Sequence, residues 1–198
     1  SHSPLPFETR WSLSKGNVEA YLTEIKRLQE KYAGQIELYV GMEIDYLNDD
    51  WGPAVEYFQR MPLDYRIGSV HLVTEEQTGE IMDMDGKFED FRENLRLIFH
   101  DDLKYLVEAY FKASSRMVEL GGFDFVAHLD KISMNGSLMD STLTEQEWYN
   151  RLLWDYMSLI AKKGVMVEVN TKAYTKKGMM FPNVKYFKWL KELNIPVM

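Results

Sequence analysis

Three side chains of metal-binding type each come at or near the end of an apolar run. Glu43 follows the run at 36–42, His71 ends RIGSVH and His128 ends FDFVAH. Short apolar runs with turn signals beside them predict buried strands. Because ligands of α/β folds bind at the carboxyl ends of the strands, we expect these three side chains to meet at one edge of a sheet.

One carboxylate and two imidazoles form a plausible ligand set for zinc, manganese or iron, and a carboxylate can bridge two ions. Such a set leaves a coordination position open for water. Taken singly, each residue has a simpler explanation. Glu43 could be a surface or ion-paired group, and His71 or His128 a hydrogen-bonded core histidine. Their position at the same predicted edge favours a metal site.

Other polar residues near these strands have two readings each. Asp45 and Asp130 closely follow candidate ligands and could orient the ligand histidines, although surface positions fit equally well. Asn170 follows the apolar run VMVEV and either orients a substrate or forms a turn. His100 lies between two predicted helices beside two acids, and we expect it at a helix end or in solvent.

Charge is unevenly distributed along the chain. Residues 161–191 hold eight lysines and one acid, a net charge of +7, whereas residues 1–160 carry −14. The simple explanation is a solvated helix face and a polar loop. The alternative is that Lys172, Lys176 or Lys177 meets an anionic substrate at the strand ends.

Helices and strands alternate along the sequence, which predicts a parallel sheet curled into a barrel or wound on both faces. A Thr144/Glu147 capping box should start one of the helices, and glycines at 121 and 164 should end two of them. The predicted strands cover 36–44, 65–72, 123–128 and 165–169. The main predicted helices cover 17–32, 88–97, 101–120, 144–163 and 182–193, with a short one ending at 59 and polar loops at 74–87 and 131–141.

Length and composition exclude several classes of protein. A chain of 198 residues with 45% hydrophobic residues fits one globular domain, and no apolar run approaches the roughly 20 residues that span a bilayer. The absence of cysteine excludes a disulfide framework or a thiolate metal site. The net charge of −8 argues against general nucleic-acid binding. We expect a cytoplasmic protein without membrane or nucleic-acid partners.

Several segments together resemble the histidinol-phosphatase type of the polymerase-and-histidinol-phosphatase (PHP) superfamily: SHSPLPF, YLTEIKRLQEKY, LYVGMEIDYL, DYRIGSVHLV, FDFVAHLDKI and VEVNTKAY. The resemblance implies an α/β fold, a PHP-like distorted (β/α)7 barrel formed by a single domain over residues 1–198. It also implies a small phosphorylated substrate, with histidinol phosphate expected as part of histidine biosynthesis. Two or three divalent ions (zinc, manganese or iron) would activate water, with no catalytic protein side chain.

The resemblance extends to particular positions. The metal ligands it implies are His2, Glu43, His71 and His128. Substrate contacts are expected from Asn170, Lys172 and Lys176. The family's opening His-x-His and closing Asp-x-His strands have no counterpart here, so we expect a domain truncated at both ends. It should bind metal poorly and have little activity unless another chain, as in a homo-oligomer, completes the barrel.

Two alternatives stay open. The same site could act on another small phosphomonoester or a nucleotide 3′ end, although the acidic surface counts against long nucleic acid. The domain could instead have lost its metals and act as a structural or regulatory interaction module.

Overall fold

The computed structural model describes residues 1–198, with six strands numbered along the chain. The strands are β1 (Gly41–Asp45), β2 (Tyr65–Ser69), β3 (Leu72–Thr74), β4 (Ile81–Asp83), β5 (Phe125–Val126) and β6 (Met166–Val167). Four of them form one parallel sheet in the order β1-β2-β5-β6, and β3 pairs with β4 in a separate antiparallel hairpin. All three strand pairs of this sheet are parallel, so the predicted α/β fold with a parallel sheet is confirmed.

Short segments extend the sheet at both edges. His2 lies parallel to β1 opposite Glu43, where the Ser3 N–H donates to the Glu43 carbonyl at 2.7 Å. At the other edge Val197 lies parallel to β6 opposite Val167. The strand pairs of this sheet run from β1 to β6.

Eight α-helices connect and cover the strands. They are α1 (Val18–Lys31), α2 (Glu56–Gln59), α3 (Phe88–Ile98), α4 (Leu103–Leu120), α5 (Ser133–Met139), α6 (Glu147–Lys163), α7 (Tyr174–Lys177) and α8 (Phe187–Glu192). The helices predicted from periodicity are confirmed at α1, α3, α4 and α6. Gly121 and Gly164 end α4 and α6 with φ of 74° and 68°, as expected for glycine after a helix. No helix combines the length and the apolar character that crossing a membrane would require.

Strand β1 separates the core from the candidate site. Side chains alternate along a strand, so Met42 and Ile44 share one face and Glu43 and Asp45 the other. Met42 and Ile44 are completely buried in a cluster that includes Phe58. The two carboxylates are therefore directed away from this apolar cluster.

The first predicted strand, 36–44, begins later than expected. Ile36 and Tyr39 are 60% and 62% exposed, and strand pairing starts only at Gly41. The reason is local: the Val40 N–H donates to the Asp64 side chain at 2.6 Å, which brings the chain into register just before β1.

The structure sets other boundaries for the predicted strand 65–72 and the predicted loop 74–87. β2 ends at Ser69, and Leu72 begins the β3–β4 hairpin. Glu75 holds the turn, since its carboxylate accepts the N–H groups of Gln77 at 3.0 Å and Thr78 at 2.7 Å. The predicted strands 123–128 and 165–169 are also shorter, at two residues each.

The segment 131–141 is not a loop, since it contains α5. Asn135-Gly136 predicted a turn, but Asn135 is buried and its amide donates to the carbonyls of Met84 and Gly86, both at 3.1 Å. Tertiary contacts thus satisfy the side chain that would otherwise favour a turn.

Two helix starts were also predicted wrongly. Thr144 lies in a short 3₁₀ turn and α6 begins at Glu147, so the capping box does not form. The last helix does not begin at Pro182. Asn183 caps a 3₁₀ turn by accepting the Lys185 N–H at 3.1 Å, and α8 follows it.

Candidate metal centre

Glu43 lies at the centre of the site, and three imidazoles approach its carboxylate. The distances from Glu43 are 3.7 Å to His2 Nδ1, 3.5 Å to His71 Nε2 and 3.2 Å to His128 Nε2. The His71 ring lies between the other two, with centroids 5.1 Å from His2 and 4.8 Å from His128. The structure therefore brings together all four predicted ligands, which are up to 126 positions apart in the sequence.

Strand ends and one edge segment position these side chains. Pairing with β1 holds His2 beside Glu43, His71 follows β2 directly after Val70, and His128 follows β5. The structure thus places Glu43, His71 and His128 close together at the carboxyl edge of the parallel strands.

Unpartnered polar atoms show that the site fits a cation. His2 Nδ1 and Asp45 Oδ2 are buried without a hydrogen-bond partner. His2 Nδ1 lies 3.9 Å from Asp45 Oδ2, too far for a hydrogen bond. One ligand atom each from His2, Glu43 and His71 lies within 4.8 Å of the others. Nitrogen and carboxylate ligands about 2.0–2.2 Å from an ion have separations of this order.

Asp45 fixes the orientation of His71. Its Oδ1 accepts the His71 Nδ1–H at 2.6 Å and the His71 backbone N–H at 3.2 Å. With Nδ1 engaged, Nε2 is the nitrogen that faces Glu43. A carboxylate on the second nitrogen of a ligating imidazole sets its tautomer and makes it a stronger donor. The expected orienting role for Asp45 agrees with this geometry.

The charges of the site are strongly coupled. Burial would raise the pKa of Glu43, but the hydrogen bond to His128 and the charges of His71 and His2 lower it to about 2. Burial would lower the pKa of His71, but Asp45 and Glu43 raise it to about 9. Burial lowers the pKa of His128. One imidazolium therefore faces two carboxylates, a charge balance that suits replacement of its proton by a divalent cation.

Several residues of this region were not predicted from the sequence. Asp85 Oδ2 lies 4.0 Å from His71 Nε2, and its Oδ1 lies 3.1 Å from Lys131 Nζ. The Trp11 ring packs against His2 and His71, with centroids 5.1 and 5.7 Å away. The available signal for Asp85 was its place in the polar segment 74–87, which the sequence predicts to be a loop.

The predicted substrate-binding residues lie on the chain that leaves β6. Asn170 donates its amide to Glu168 Oε1 at 3.1 Å and accepts the Lys172 backbone N–H at 3.1 Å. Glu168 Oε2 in turn accepts the His128 backbone N–H at 3.0 Å. Hydrogen bonds thus connect the start of this segment to His128. Lys172 and Lys176 are exposed.

The structure also shows the surroundings of two other residues that the sequence singled out, Asp130 and His100. Asp130 is completely buried, and its Oδ2 accepts the Asn183 N–H at 3.0 Å, so it is neither a surface group nor in contact with a ligand imidazole. Burial raises its pKa to about 7. His100 is exposed just after α3, as expected, and has a positive φ of 55°.

Known proteins resemble this chain in sequence and in fold. A Deinococcus radiodurans protein named "Probable histidinol-phosphatase" is 24% identical over 182 residues, which cover 88% of this chain and 61% of the relative. The chain therefore spans about three-fifths of the length of this curated relative.

Two solved structures share the fold at 20% sequence identity. A candidate histidinol phosphatase from Listeria monocytogenes matches with a TM-score of 0.77 over 94% of this chain and 71% of its own. Histidinol phosphate phosphatase from Lactococcus lactis, solved with zinc, L-histidinol and phosphate, matches with a TM-score of 0.62 over 91% and 65%.

The family model described as the PHP domain matches residues 2–172, a range that contains His2, Glu43, His71 and His128. Because this match covers most of the sequence and agrees with the fold, the chain belongs to the PHP domain family.

Proposed function

We propose that this chain is a metal-dependent phosphoesterase that hydrolyses a small phosphate monoester, with histidinol phosphate as the substrate. One observation carries the proposal: three imidazoles converge on Glu43 while the buried His2 Nδ1 and Asp45 Oδ2 beside it have no hydrogen-bond partner. The substrate assignment is supported by the Lactococcus lactis relative, whose structure contains L-histidinol and phosphate.

His2, Glu43 and His71 would hold a first divalent cation, and His128, whose Nε2 lies 3.2 Å from Glu43 Oε1, would add a further ligand. Zinc, manganese and iron all suit this donor set, and the Lactococcus lactis structure contains zinc. A divalent cation bound here supplies a Lewis acid that neutralises phosphate charge and makes water more acidic.

The surrounding residues would keep the site organised and attract the substrate. Asp45 holds His71 with Nε2 toward Glu43, and Trp11 covers the His2 and His71 rings. Lys172 and Lys176 would bind the substrate phosphate from the segment after β6, where exposed positive charge raises the local concentration of anions. Asn170 would contact the substrate through the second hydrogen of its amide.

The experiment compares metal binding and phosphate release for the chain and two variants. The chain should bind Zn²⁺ weakly in titration calorimetry and, once loaded, release phosphate slowly, yet faster from histidinol phosphate than from a simple aryl phosphate. Glu43→Gln should weaken Zn²⁺ binding and abolish release. Glu30→Gln, which alters an exposed glutamate of α1, should change neither.

The two failures have different meanings. A chain that binds no Zn²⁺, Mn²⁺ or Fe²⁺ would support the alternative of a structural or regulatory interaction module. A chain that binds metal but prefers another phosphomonoester would keep the site and replace the substrate. That residues 1–198 form a single domain stays a prediction, as does a cytoplasmic location.

A further inference from the structure

The ladder between β5 and β6 stops next to His128 in an unusual way. Val126 pairs with Val167, and the Glu168 N–H donates to the Val126 carbonyl at 2.8 Å. In a regular parallel ladder the next bond would run from the His128 N–H to the backbone carbonyl of Glu168. Here the His128 N–H donates instead to the side chain of Glu168, at 3.0 Å from Oε2.

The backbone of His128 explains why the side chain is needed. His128 has a φ of 24°, outside the extended region of a strand and rare for a residue with a Cβ. The chain turns at this point, and the Lys131 N–H donates back to the His128 carbonyl at 2.9 Å. Strained backbone persists only where its surroundings hold it. The Glu168 carboxylate provides such a contact directly at the strained residue.

The carboxylate of Glu168 is itself held in place. Its Oε1 accepts the Asn170 amide at 3.1 Å, and the Asn170 Oδ1 accepts the Lys172 N–H at 3.1 Å. The backbone of Asn170 exchanges two hydrogen bonds with Phe181, at 2.7 and 3.0 Å. Asn170 is therefore a fixed support, and both oxygens of Glu168 are committed within the chain.

We propose that Glu168 and Asn170 are positioning residues that hold the backbone of His128 so that its Nε2 meets Glu43. The inference deepens the proposed function and rests on it for its consequence in metal binding. The part of the inference that concerns the position of His128 can be tested on the metal-free chain. The residues act on the His128 imidazole through its backbone and do not touch the cation.

The direction of these hydrogen bonds, from donor to acceptor, provides a test of the proposal. Glu168 accepts at both oxygens, whereas glutamine accepts at one atom and donates at the other. Glu168→Gln should therefore lose one of its two contacts, and Asn170→Asp should place two carboxylates against each other. In the double variant Glu168→Gln/Asn170→Asp the introduced amide can donate to the introduced carboxylate while its carbonyl accepts the His128 N–H. The double variant also keeps the net charge of the parent.

Two readouts follow from this design. In the metal-free chain, amide hydrogen exchange of His128 should speed up at least tenfold in each single variant and return to within threefold of the parent in the double variant. The Zn²⁺ dissociation constant should rise about 10–100-fold in the single variants, the usual effect of losing a support behind a ligand. It should recover in the double variant. Glu192→Gln, an exposed position on α8, serves as the control and should change neither value.

Thermal unfolding of each variant separates loss of position from loss of fold. If a single variant fails to fold, recovery of folding, His128 protection and Zn²⁺ affinity in the double variant supports the proposal. A double variant no better than the singles overturns it, as do folded single variants with unchanged His128 exchange. Should the chain bind none of Zn²⁺, Mn²⁺ and Fe²⁺, the proposed function fails, and the exchange data still decide whether Glu168 positions His128.

Discussion

Asp45 Oδ1 lies 2.6 Å from His71 Nδ1, and this buried pair determines which nitrogen of His71 faces Glu43. Asp45 occupies the same face of β1 as Glu43, two residues away, because side chains alternate along a strand. A single strand thus provides both the central carboxylate of the site and the carboxylate that orients one of its imidazoles. The sequence Gly41-Met42-Glu43-Ile44-Asp45 encodes both functions within five residues.

Asp45→Asn should weaken Zn²⁺ binding about 10–100-fold, because an amide stabilises the His71 imidazole less than a carboxylate does. Titration calorimetry measures the effect, and nitrogen chemical shifts of His71 report the change at the ring. Asp50→Asn, on an exposed residue just beyond β1, is the matched control. An Asp45→Asn protein with the parent's Zn²⁺ affinity would show that Asp45 has no orienting role.

Lys172→Ala and Lys176→Ala should each weaken the binding of inorganic phosphate to the zinc-loaded chain several-fold, and the effect should shrink as salt rises. The reason is the loss of positive charge from the segment that leaves β6. Lys188→Ala removes an exposed lysine from α8 and should leave phosphate binding unchanged. Equal losses in all three variants would point to overall charge as the cause.

Acid should selectively remove the stabilising contribution of Glu75. Its carboxylate accepts hydrogen bonds from the Tyr105 hydroxyl at 2.6 Å and from the turn of the β3–β4 hairpin, which lower its pKa to about 2 from about 4.5. A pKa lowered in the folded state adds stability above the unfolded value. That contribution is lost as the pH falls from about 4.5 to 2.

Denaturant unfolding of the parent and Glu75→Gln at a series of pH values measures this effect. The parent should be the more stable at pH 6, and the difference should narrow as the pH drops to 3. Glu80→Gln, on the same hairpin with an exposed side chain, should have the same stability as the parent at each pH. A difference that stays constant with pH would mean that ionised Glu75 contributes nothing.

Gly122→Ala should be the most destabilising of three glycine substitutions. At Gly122 φ is 85°, and an added Cβ would lie 2.7 Å from Ala54 Cα, so backbone strain and a clash combine. Gly34 has a φ of 79° with open space, and alanine there should cost about 1 kcal/mol from strain alone. Gly16 has open space and no positive φ, so its substitution should be neutral or slightly stabilising.

Free energies of unfolding from denaturant titration decide this ranking. Gly122→Ala should lose about 2–3 kcal/mol, the sum of strain and overpacking. If the Gly122→Ala protein were as stable as the Gly34→Ala protein, the loop before α2 would have to shift to accommodate the added methyl group.

The sequence predicted the parts of the site that depend on strand ends. Glu43, His71 and His128 follow apolar runs, and parallel pairing is enough to bring such positions to one edge. His2 was found only through the family resemblance, since a histidine at the second residue has no periodic context. Its contact with Glu43 depends on the pairing of residues 1–3 with β1.

The remaining contacts depend on geometry that local patterns do not encode. Asp85 approaches His71 because the unpredicted β3–β4 hairpin folds back across the sheet edge. Glu168 reaches the His128 N–H because the backbone turns at a positive φ. The helix α5 replaced a predicted turn because Asn135 finds partners distant in sequence.

The central claim is that His2, Glu43 and His71 share one cation. Crystals grown with Zn²⁺ and measured on both sides of the zinc absorption edge would test it directly. The account predicts an anomalous peak within bonding distance of His2 Nδ1, the Glu43 carboxylate and His71 Nε2. A zinc-saturated crystal whose anomalous peaks all lie away from these three atoms would contradict it.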